Sequence, residues 1–161
     1  VEPHMMTLAK ALAGGIPIGA LVARDDVAQS FSAGTHASTF GGNYIATSAG
    51  VAVMKALLES DILKNCREVG SYFSARLREL KQRYEFIKDV RGMGLIIGME
   101  LTIPCSDIVK DCMKRGYLVN CTSDKVLRFL PPLNITRGVV DGMIGALKDI
   151  FDELKSGGEN V

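Results

Sequence analysis

The sequence predicts an α+β domain over residues 59–161, in which an antiparallel sheet carries its helices on one face. After a leading pair of helices, the elements read strand, strand, helix, strand, strand, helix, and the helical segments repeat apolar residues every three to four positions. Residues 1–58 differ, because one strand and one buried helix cannot form a core alone. We therefore expect them to end a larger domain, in a chain that starts within a longer protein.

Residues 1–43 are rich in Gly, Pro, Ser and Thr, and they contain one short strand candidate at residues 18–23, after a glycine turn. Residues 44–58 are almost continuously small or apolar. This pattern predicts a helix that is buried on most sides, with Gly42 and Asn43 marking its start.

The second part opens with a helix capped by Ser60 and Asp61. Two strands follow within residues 86–101, and the glycines of residues 91–94 indicate a bend or bulge between them. The helix that Ser60 and Asp61 cap carries an apolar stripe, which consists of Ile62, Cys66, Val69, Phe73, Leu77, Leu80 and Tyr84.

The remaining segments again give a helix, then two strands, then a helix. A short helix is expected over residues 106–115 and ends at Gly116. Two strands are expected at residues 117–121 and 126–130, the second ended by a proline pair. The last helix begins near Thr136, carries an apolar stripe and ends at a glycine pair before a frayed tail.

The charge balance excludes several partner classes. The chain carries 19 Lys and Arg against 18 Asp and Glu, so no large positive field attracts nucleic acid or anionic lipid. Its apolar runs are too short to cross a bilayer, and no secretory signal opens the chain. We expect no nucleic-acid partner, no membrane association and a cytoplasmic location.

The four cysteines are Cys66, Cys105, Cys112 and Cys121, and they form no CxxC pair. With only two histidines in the chain, they provide no zinc-ligand set, so we expect no metal. Cytoplasmic thiols are ordinarily reduced. All four are therefore predicted to be free thiols without a catalytic role.

Lys10 is the first candidate for chemistry. It lies within TLAKALAGGIPIGA, between small and apolar neighbours and just before paired glycines. An ammonium in such surroundings is expected to be poorly solvated, which would favour the free amine needed for Schiff-base chemistry with an aldehyde cofactor. The alternative is a helix with one lysine whose stem lies along apolar surface and whose amine reaches water.

The second candidate is the loop GTHASTFGGN, which leads into the helix of residues 44–58. Free N–H groups at a helix start, beside the hydroxyls of Ser38 and Thr39, suit a phosphate group. A plain N-cap and turn is the alternative explanation.

The third candidate is Arg128, within the otherwise apolar segment VLRFLPPL. A guanidinium presents its donors in a fixed fork that matches a carboxylate. The alternative is a structural ion pair.

Four segments in this order, TLAKALAGGIPIGA, GTHASTFGGN, VRGMGLIIGMEL and VLRFLPPLNIT, resemble the class III pyridoxal-phosphate-dependent aminotransferases. The resemblance covers essentially the whole chain and is nearest to the acetylornithine branch of the family. It implies the fold of the fold-type-I transferases. Residues 1–58 would then end the large α/β cofactor domain, and residues 59–161 would form the small α+β domain.

The resemblance also implies roles for individual residues. Lys10 matches the lysine that binds pyridoxal 5'-phosphate as a Schiff base and moves the proton during catalysis. Ser38 and Thr39 match the pair that contacts the cofactor phosphate of the neighbouring subunit, which implies a homodimer with shared active sites. Arg128 matches the arginine that binds a substrate α-carboxylate.

The implied reaction transfers an amino group reversibly from N-acetylornithine to 2-oxoglutarate, as part of arginine biosynthesis. Ornithine or 4-aminobutyrate as the donor remains open, and so does a non-catalytic small-molecule-binding module. The family's first phosphate-binding loop, its ring-stacking aromatic residue and its aspartate on the ring nitrogen would lie upstream of Val1. The chain by itself is therefore expected to be inactive.

Overall fold

The computed structural model describes residues 1–158 of the chain. Its contacts divide the chain into two compact units, residues 1–60 and the part from Asp61 onward. Among the described residues, no helix is long and apolar enough to cross a bilayer.

The first unit combines a small sheet with one long helix. Strands β1 (Met5–Leu8) and β2 (Ala20–Ala23) pair antiparallel, and a 3₁₀ helix (Lys10–Ala13) follows β1. Helices α1 (Asp25–Ala28) and α2 (Tyr44–Glu59) complete the unit.

The second unit is a four-stranded antiparallel sheet with three helices. The strand order is β3-β4-β6-β5, and every neighbouring pair is antiparallel, which confirms the predicted sheet. The elements in chain order are α3 (Ile62–Arg83), β3 (Ile87–Met93), β4 (Ile96–Leu101), α4 (Ser106–Lys114), β5 (Asn120–Thr122), β6 (Val126–Phe129) and α5 (Arg137–Gly158).

The apolar core of this unit lies between one face of the sheet and the helices α3, α4 and α5. Residues alternate along a strand, so every second side chain points to the opposite face. No described element of the second unit covers that second face, which carries the exposed residues Arg91, Asn120 and Arg128. The sheet residues that enter the core are Ile87, Val90, Ile97, Met99, Leu101, Leu127 and Phe129.

Two backbone positions on β3 and its turn require glycine. Gly94 begins the two-residue turn between β3 and β4 with a φ of +56°, a conformation that L-residues rarely adopt. A β-carbon on Gly92 would overlap the Ile96 carbonyl oxygen across the hairpin. The predicted bend at residues 91–94 is therefore a tight hairpin turn, and the bulge lies earlier in β3, between Ile87 and Asp89.

Helix α2 differs from the expectation that most of its sides are buried. Only Ala46 and Gly50 are buried along it, while Ile45 is 75% exposed and Leu58 is 71% exposed. An apolar composition indicates which surfaces favour burial, but it does not provide the element that covers them.

Three elements of the first unit were not predicted. β1 gains its conformation from pairing with β2, a partner twelve or more residues away that a local pattern does not reveal. The 3₁₀ helix and α1 are four residues long, below the length at which helical periodicity is visible. At the other end of the chain, α5 runs to Gly158, and the predicted frayed tail lies outside the described residues.

The prediction of four free thiols is wrong for two of them. Cys105 and Cys121 form a disulfide that joins the start of α4 to β5, with their α-carbons 5.7 Å apart. The Cys105 N–H donates to the Asp124 carbonyl at 2.8 Å, so the turn after β5 lies against the start of α4. The two cysteines lie 16 positions apart in sequence, a spacing that carries no pairing signal.

The other two cysteines are free thiols, as predicted. Burial raises the pKa of the Cys112 thiol to about 11, so it stays protonated at neutral pH.

Candidate functional site

Lys10 lies where the sheet of the first unit ends and the 3₁₀ helix begins. The ladder finishes at the pair Leu8 and Ala20, and Ala9 continues in extended conformation with a φ of −161°. Lys10 then adopts a φ of +57°. For a residue with a β-carbon, this left-handed conformation costs about 1–2 kcal/mol. Such strain at a non-glycine residue persists only where the surrounding structure holds it in place; in this chain Ser123 and Asp124, in the turn between β5 and β6, share the positive φ.

The side chain of Lys10 is exposed, so the expected poor solvation of its ammonium is not observed in the described chain. Within the 3₁₀ helix only Ala13 is buried. Among residues 1–158, no hydrogen bond or ion pair occupies the amine. The amine is therefore accessible to a ligand.

The loop before α2 is organised by Asn43. Its side-chain oxygen accepts from the Ala46 N–H at 2.9 Å, and its amide nitrogen donates to the Phe40 carbonyl at 2.9 Å. The loop is thus an N-cap and turn, as the alternative explanation held. Within the described residues, however, this capping leaves the Ser38 and Thr39 hydroxyls without a hydrogen-bond partner, and both residues are exposed.

A cavity of about 510 Å³ lies over this loop, and Ser38 lines it together with His36 and Asn43. Gly41 and Gly42 bring backbone without side chains to its wall. A hydroxyl beside glycine backbone suits a phosphate. The further lining residues are Pro17, Ile18, Gly19 and Phe40.

The structure brings together only part of the predicted site. Ser38 lines the cavity, whereas Thr39 and Lys10 are not among its lining residues. Arg128 belongs to the second compact unit. Within the part of the chain that the structure describes, no cluster of His, Cys, Asp and Glu could hold a metal ion.

Arg128 lies in the middle of β6, on the open face of the second unit's sheet. Its cross-strand partners are Gly98 on β4 and Asn120 on β5. Gly98 contributes no side chain beside the arginine, and the Val126 side chain lies next to this position. No carboxylate in residues 1–158 pairs with Arg128, so the structural ion pair considered as an alternative is not observed.

Arg91, on β3, shows the contrasting case. It also lies opposite Gly98, but its guanidinium donates to Glu100 at 2.6 Å and to Asp89 at 3.1 Å. The hydrogen bond to Glu100, followed by that to Asp89, raises the pKa of Arg91. Lys88 and then Arg91 lower the pKa of the Glu100 carboxyl. Arg91 is therefore paired with two carboxylates of its own sheet, whereas Arg128 has no carboxylate partner among residues 1–158.

Asn120 is the residue of this face that sequence reasoning missed. It lies directly opposite Arg128, lines the same shallow cavity of about 240 Å³, and is exposed. The segment LVNCT carries a polar residue in an apolar strand, which was the available signal. Only the strand register connects it to Arg128.

Comparison with known proteins gives a consistent result. Residues 1–151 match the sequence profile of the family described as Aminotransferase class-III. The chain is 48% identical over 157 residues to acetylornithine aminotransferase of Methanocaldococcus jannaschii, covering 96% of this chain and 39% of that protein. It is 46% identical over 151 residues to the Aquifex aeolicus enzyme of the same name, covering 94% and 38%.

Solved structures are similar as well. Ornithine aminotransferase of Toxoplasma gondii ME49 matches with a TM-score of 0.88 and 33% identity, over 95% of this chain and 38% of that one. Acetylornithine aminotransferase of Elizabethkingia anophelis matches with a TM-score of 0.87 and 25% identity, over 95% and 40%. The chain spans about two fifths of the length of the curated relatives it matches.

Proposed function

This chain belongs to the class-III aminotransferase family, and we propose that it supplies Lys10, Ser38, Thr39 and Arg128 to the active site of a pyridoxal-phosphate-dependent transaminase. The observation that carries the proposal is Arg128, a guanidinium on an open sheet face that the described chain leaves unpaired. Such a group in a family of amino-group transferases is suited to binding the carboxylate that both amino acid and 2-oxo acid substrates carry.

The residues present fit the proposed cofactor. Lys10 offers an accessible amine in a strained backbone conformation, and an amine is the group that binds an aldehyde covalently. Ser38 and Thr39 offer exposed hydroxyls that no described residue occupies, and Ser38 lines a cavity beside glycine backbone. The ornithine aminotransferase of Toxoplasma gondii, crystallised with oxidised glutathione, carries partially occupied PLP at its active site, and this chain is 32% identical to it with a TM-score of 0.89.

When bound, pyridoxal phosphate supplies the electron-accepting ring that makes the substrate α-carbon acidic. Lys10 would then remove and return the proton at that carbon, because its amine is the base tethered next to the reacting atoms. Arg128 would hold the α-carboxylate in its two-pronged donor fork and so fix the orientation of the α-carbon. Ser38 and Thr39 would donate to the phosphate of the cofactor in the neighbouring subunit of a homodimer.

We infer N-acetylornithine as the amino donor and 2-oxoglutarate as the acceptor, a reaction of arginine biosynthesis. The support is that relatives at 46–48% identity bear the name acetylornithine aminotransferase. Ornithine is the second candidate donor, because solved ornithine aminotransferases match at 33% identity with a TM-score of 0.88. A competition between the two donors, measured as relative kcat/KM on the complete protein, distinguishes them.

The proposal extends to assembly, domain roles and location. Residues 1–58 would belong to the large cofactor domain and residues 59–161 to the small domain. The 161-residue chain alone would not transaminate, since the relatives it matches are about two and a half times as long. A cytoplasmic location stays a prediction, and the disulfide is more typical of oxidising compartments.

Borohydride reduction of the complete protein, followed by peptide mapping, tests the enzymatic proposal directly. We expect a pyridoxyl group on Lys10. Lys10→Arg should abolish the adduct, while Lys55→Arg, which changes an exposed lysine on α2, should leave it intact. An adduct elsewhere, or none, would contradict the assignment and favour a non-catalytic small-molecule-binding module.

A further inference from the structure

We propose that Asn120 is a second substrate-binding residue, whose side-chain amide donates a hydrogen bond to the carboxylate held by Arg128. This inference rests on the proposed function of Arg128. It adds a specificity determinant from a neighbouring strand that lies outside the VLRFLPPL segment.

The strand register places the two side chains together. Asn120 on β5 and Arg128 on β6 are direct partners in an antiparallel ladder. Side chains of such partners share one face of the sheet, with their β-carbons about 4.5–5.5 Å apart. That face is the open one, since the adjacent residues Cys121 and Leu127 turn toward the core side.

Within the described chain, neither the Asn120 side chain nor the Arg128 side chain has a hydrogen-bond or ion-pair partner. The amide of Asn120 makes no side-chain hydrogen bond to any of residues 1–158, and Arg128 has no carboxylate partner there. Both are exposed. This contrasts with Arg91 on the same face, which two carboxylates engage. The N–H groups of the Asn120 amide and of the Arg128 guanidinium therefore form a set of hydrogen-bond donors for which residues 1–158 provide no acceptor.

The chemistry of a carboxylate matches this donor set. Its two oxygens offer about four acceptor positions, of which a bidentate guanidinium uses two. One donor of the Asn120 amide can reach a remaining position, and the neutral amide does not compete with the substrate carboxylate for Arg128. An aspartate at this position would compete with it, because its own carboxylate would pair with Arg128.

The walls of the cavity suit the rest of the substrate. Leu118 and Leu130 line it beside Asn120 and Arg128, and these leucines are 87% and 66% exposed. Exposed aliphatic side chains next to a carboxylate site favour a ligand with a methylene chain. The inferred ligand class is therefore an aliphatic amino or oxo acid, bound through one carboxylate.

The test measures carboxylate binding separately from turnover. Glutarate, a dicarboxylate with no reactive oxo group, is titrated calorimetrically into the complete protein and its variants. Asn120→Ala should weaken glutarate binding about tenfold, since a hydrogen bond to a charged group is worth on that order. Asn120→Asp should weaken it further, to about a hundredfold, because the new carboxylate pairs with Arg128.

The kinetic counterpart is a rise in KM for 2-oxoglutarate and for the amino donor in Asn120→Ala, with a much smaller change in kcat. Thr122→Ala is the matched control, because Thr122 lies on the same face of β5 two residues away, opposite Val126. It should leave both the glutarate affinity and the KM values unchanged. Thermal melts of all variants check that the sheet remains folded.

The outcomes separate the two proposals. If Arg128→Ala abolishes glutarate binding and Asn120→Ala leaves it unchanged, the role of Asn120 is overturned while that of Arg128 stands. If neither variant affects binding, the proposed role of Arg128 fails as well. Equal weakening in Thr122→Ala would mean that the strand, rather than the amide, matters, and it would also overturn the inference.

Discussion

Gly70 on α3 contacts the backbone of Gly94 in the turn between β3 and β4. A β-carbon added to Gly70 would overlap the Gly94 carbonyl oxygen, its carbonyl carbon and its α-carbon. The backbone of the hairpin cannot yield as a flexible side chain would, because the turn already requires a φ of +56° at Gly94. This close approach fixes the distance between α3 and the sheet that carries Arg128.

Gly70→Ala should therefore lower the free energy of unfolding, by about 1–3 kcal/mol as in other overpacked cores. Gly145→Ala is the matched control, since Gly145 lies within helix α5 and an added β-carbon there meets no atom within 4 Å. It should raise the stability by about 0.5–1 kcal/mol, because alanine favours helix over glycine. Urea unfolding measures both, and a neutral Gly70→Ala would contradict the contact.

The disulfide between Cys105 and Cys121 should contribute to the stability of the second unit. Closing a loop of about 15 residues is worth roughly 3 kcal/mol in the chain-entropy model. Reduction with dithiothreitol should lower the melting temperature of the wild type and leave the double variant Cys105→Ala, Cys121→Ala unaffected.

A thiol count gives an independent measurement of the same bond. The denatured, unreduced 161-residue chain should show two free thiols, Cys66 and Cys112, and four after reduction. Four thiols before reduction, together with a melting temperature that does not respond to reductant, would show that the bond is absent in solution.

Because of Tyr84, the stability of the folded chain should change with pH in the alkaline range. Its hydroxyl donates to Asp152 at 2.8 Å, and burial, followed by this hydrogen bond, raises the pKa of Tyr84 from 10.0 to about 12. The unfolded chain loses the proton near pH 10.0, whereas the folded chain keeps it to about 12. The contribution of Tyr84 to the free energy of unfolding should therefore be fully present below pH 10 and be lost as the pH rises to about 12.

Tyr84→Phe removes the ionisable group, so the fall in this window should become smaller than in the wild type. Tyr44→Phe changes an exposed phenol on α2 and should keep the full fall. Urea unfolding at several pH values between 10.0 and about 12 measures the difference. Identical slopes for the wild type and Tyr84→Phe would exclude this linkage.

The sequence predicted every helix and strand of the second unit because each carries a local signal, although β5 lies at Asn120–Thr122 rather than at the expected residues 117–121. The apolar stripe of α3 and the glycine at residue 116 after α4 are visible within single segments. The disulfide and the pairing of Asn120 with Arg128 depend instead on which strands become neighbours. That information is distributed over residues 96–129 and appears only when the sheet is assembled.

The first unit was predicted less well, for a physical reason. Its elements are short, and much of the apolar surface of α2 is exposed in the described chain, so local composition and observed burial disagree. The candidate residues Lys10, Ser38, Thr39 and Arg128 came from motif resemblance. The structure adds the strained backbone of Lys10 and the unpaired state of Arg128, neither of which a motif contains.

The φ of +57° at Lys10 leads to a prediction about stability that is independent of catalysis. A residue with a β-carbon pays about 1–2 kcal/mol in this region, whereas glycine adopts it readily. Lys10→Gly should therefore be more stable than Lys10→Ala, by about 1 kcal/mol, in the cofactor-free complete protein. Comparing two variants that both lack the amine removes any effect of the lost side chain.

The same pair of substitutions at Lys55 provides the control, since Lys55 is an exposed residue within the α2 helix. There Lys55→Gly should be less stable than Lys55→Ala by about 1 kcal/mol, because glycine is unfavourable inside a helix. The difference in the free energy of unfolding between the glycine and the alanine variant, measured by urea unfolding, should thus have opposite signs at the two sites. If glycine destabilises both sites equally, Lys10 does not hold the left-handed conformation in solution, and strain cannot be part of how this lysine is positioned.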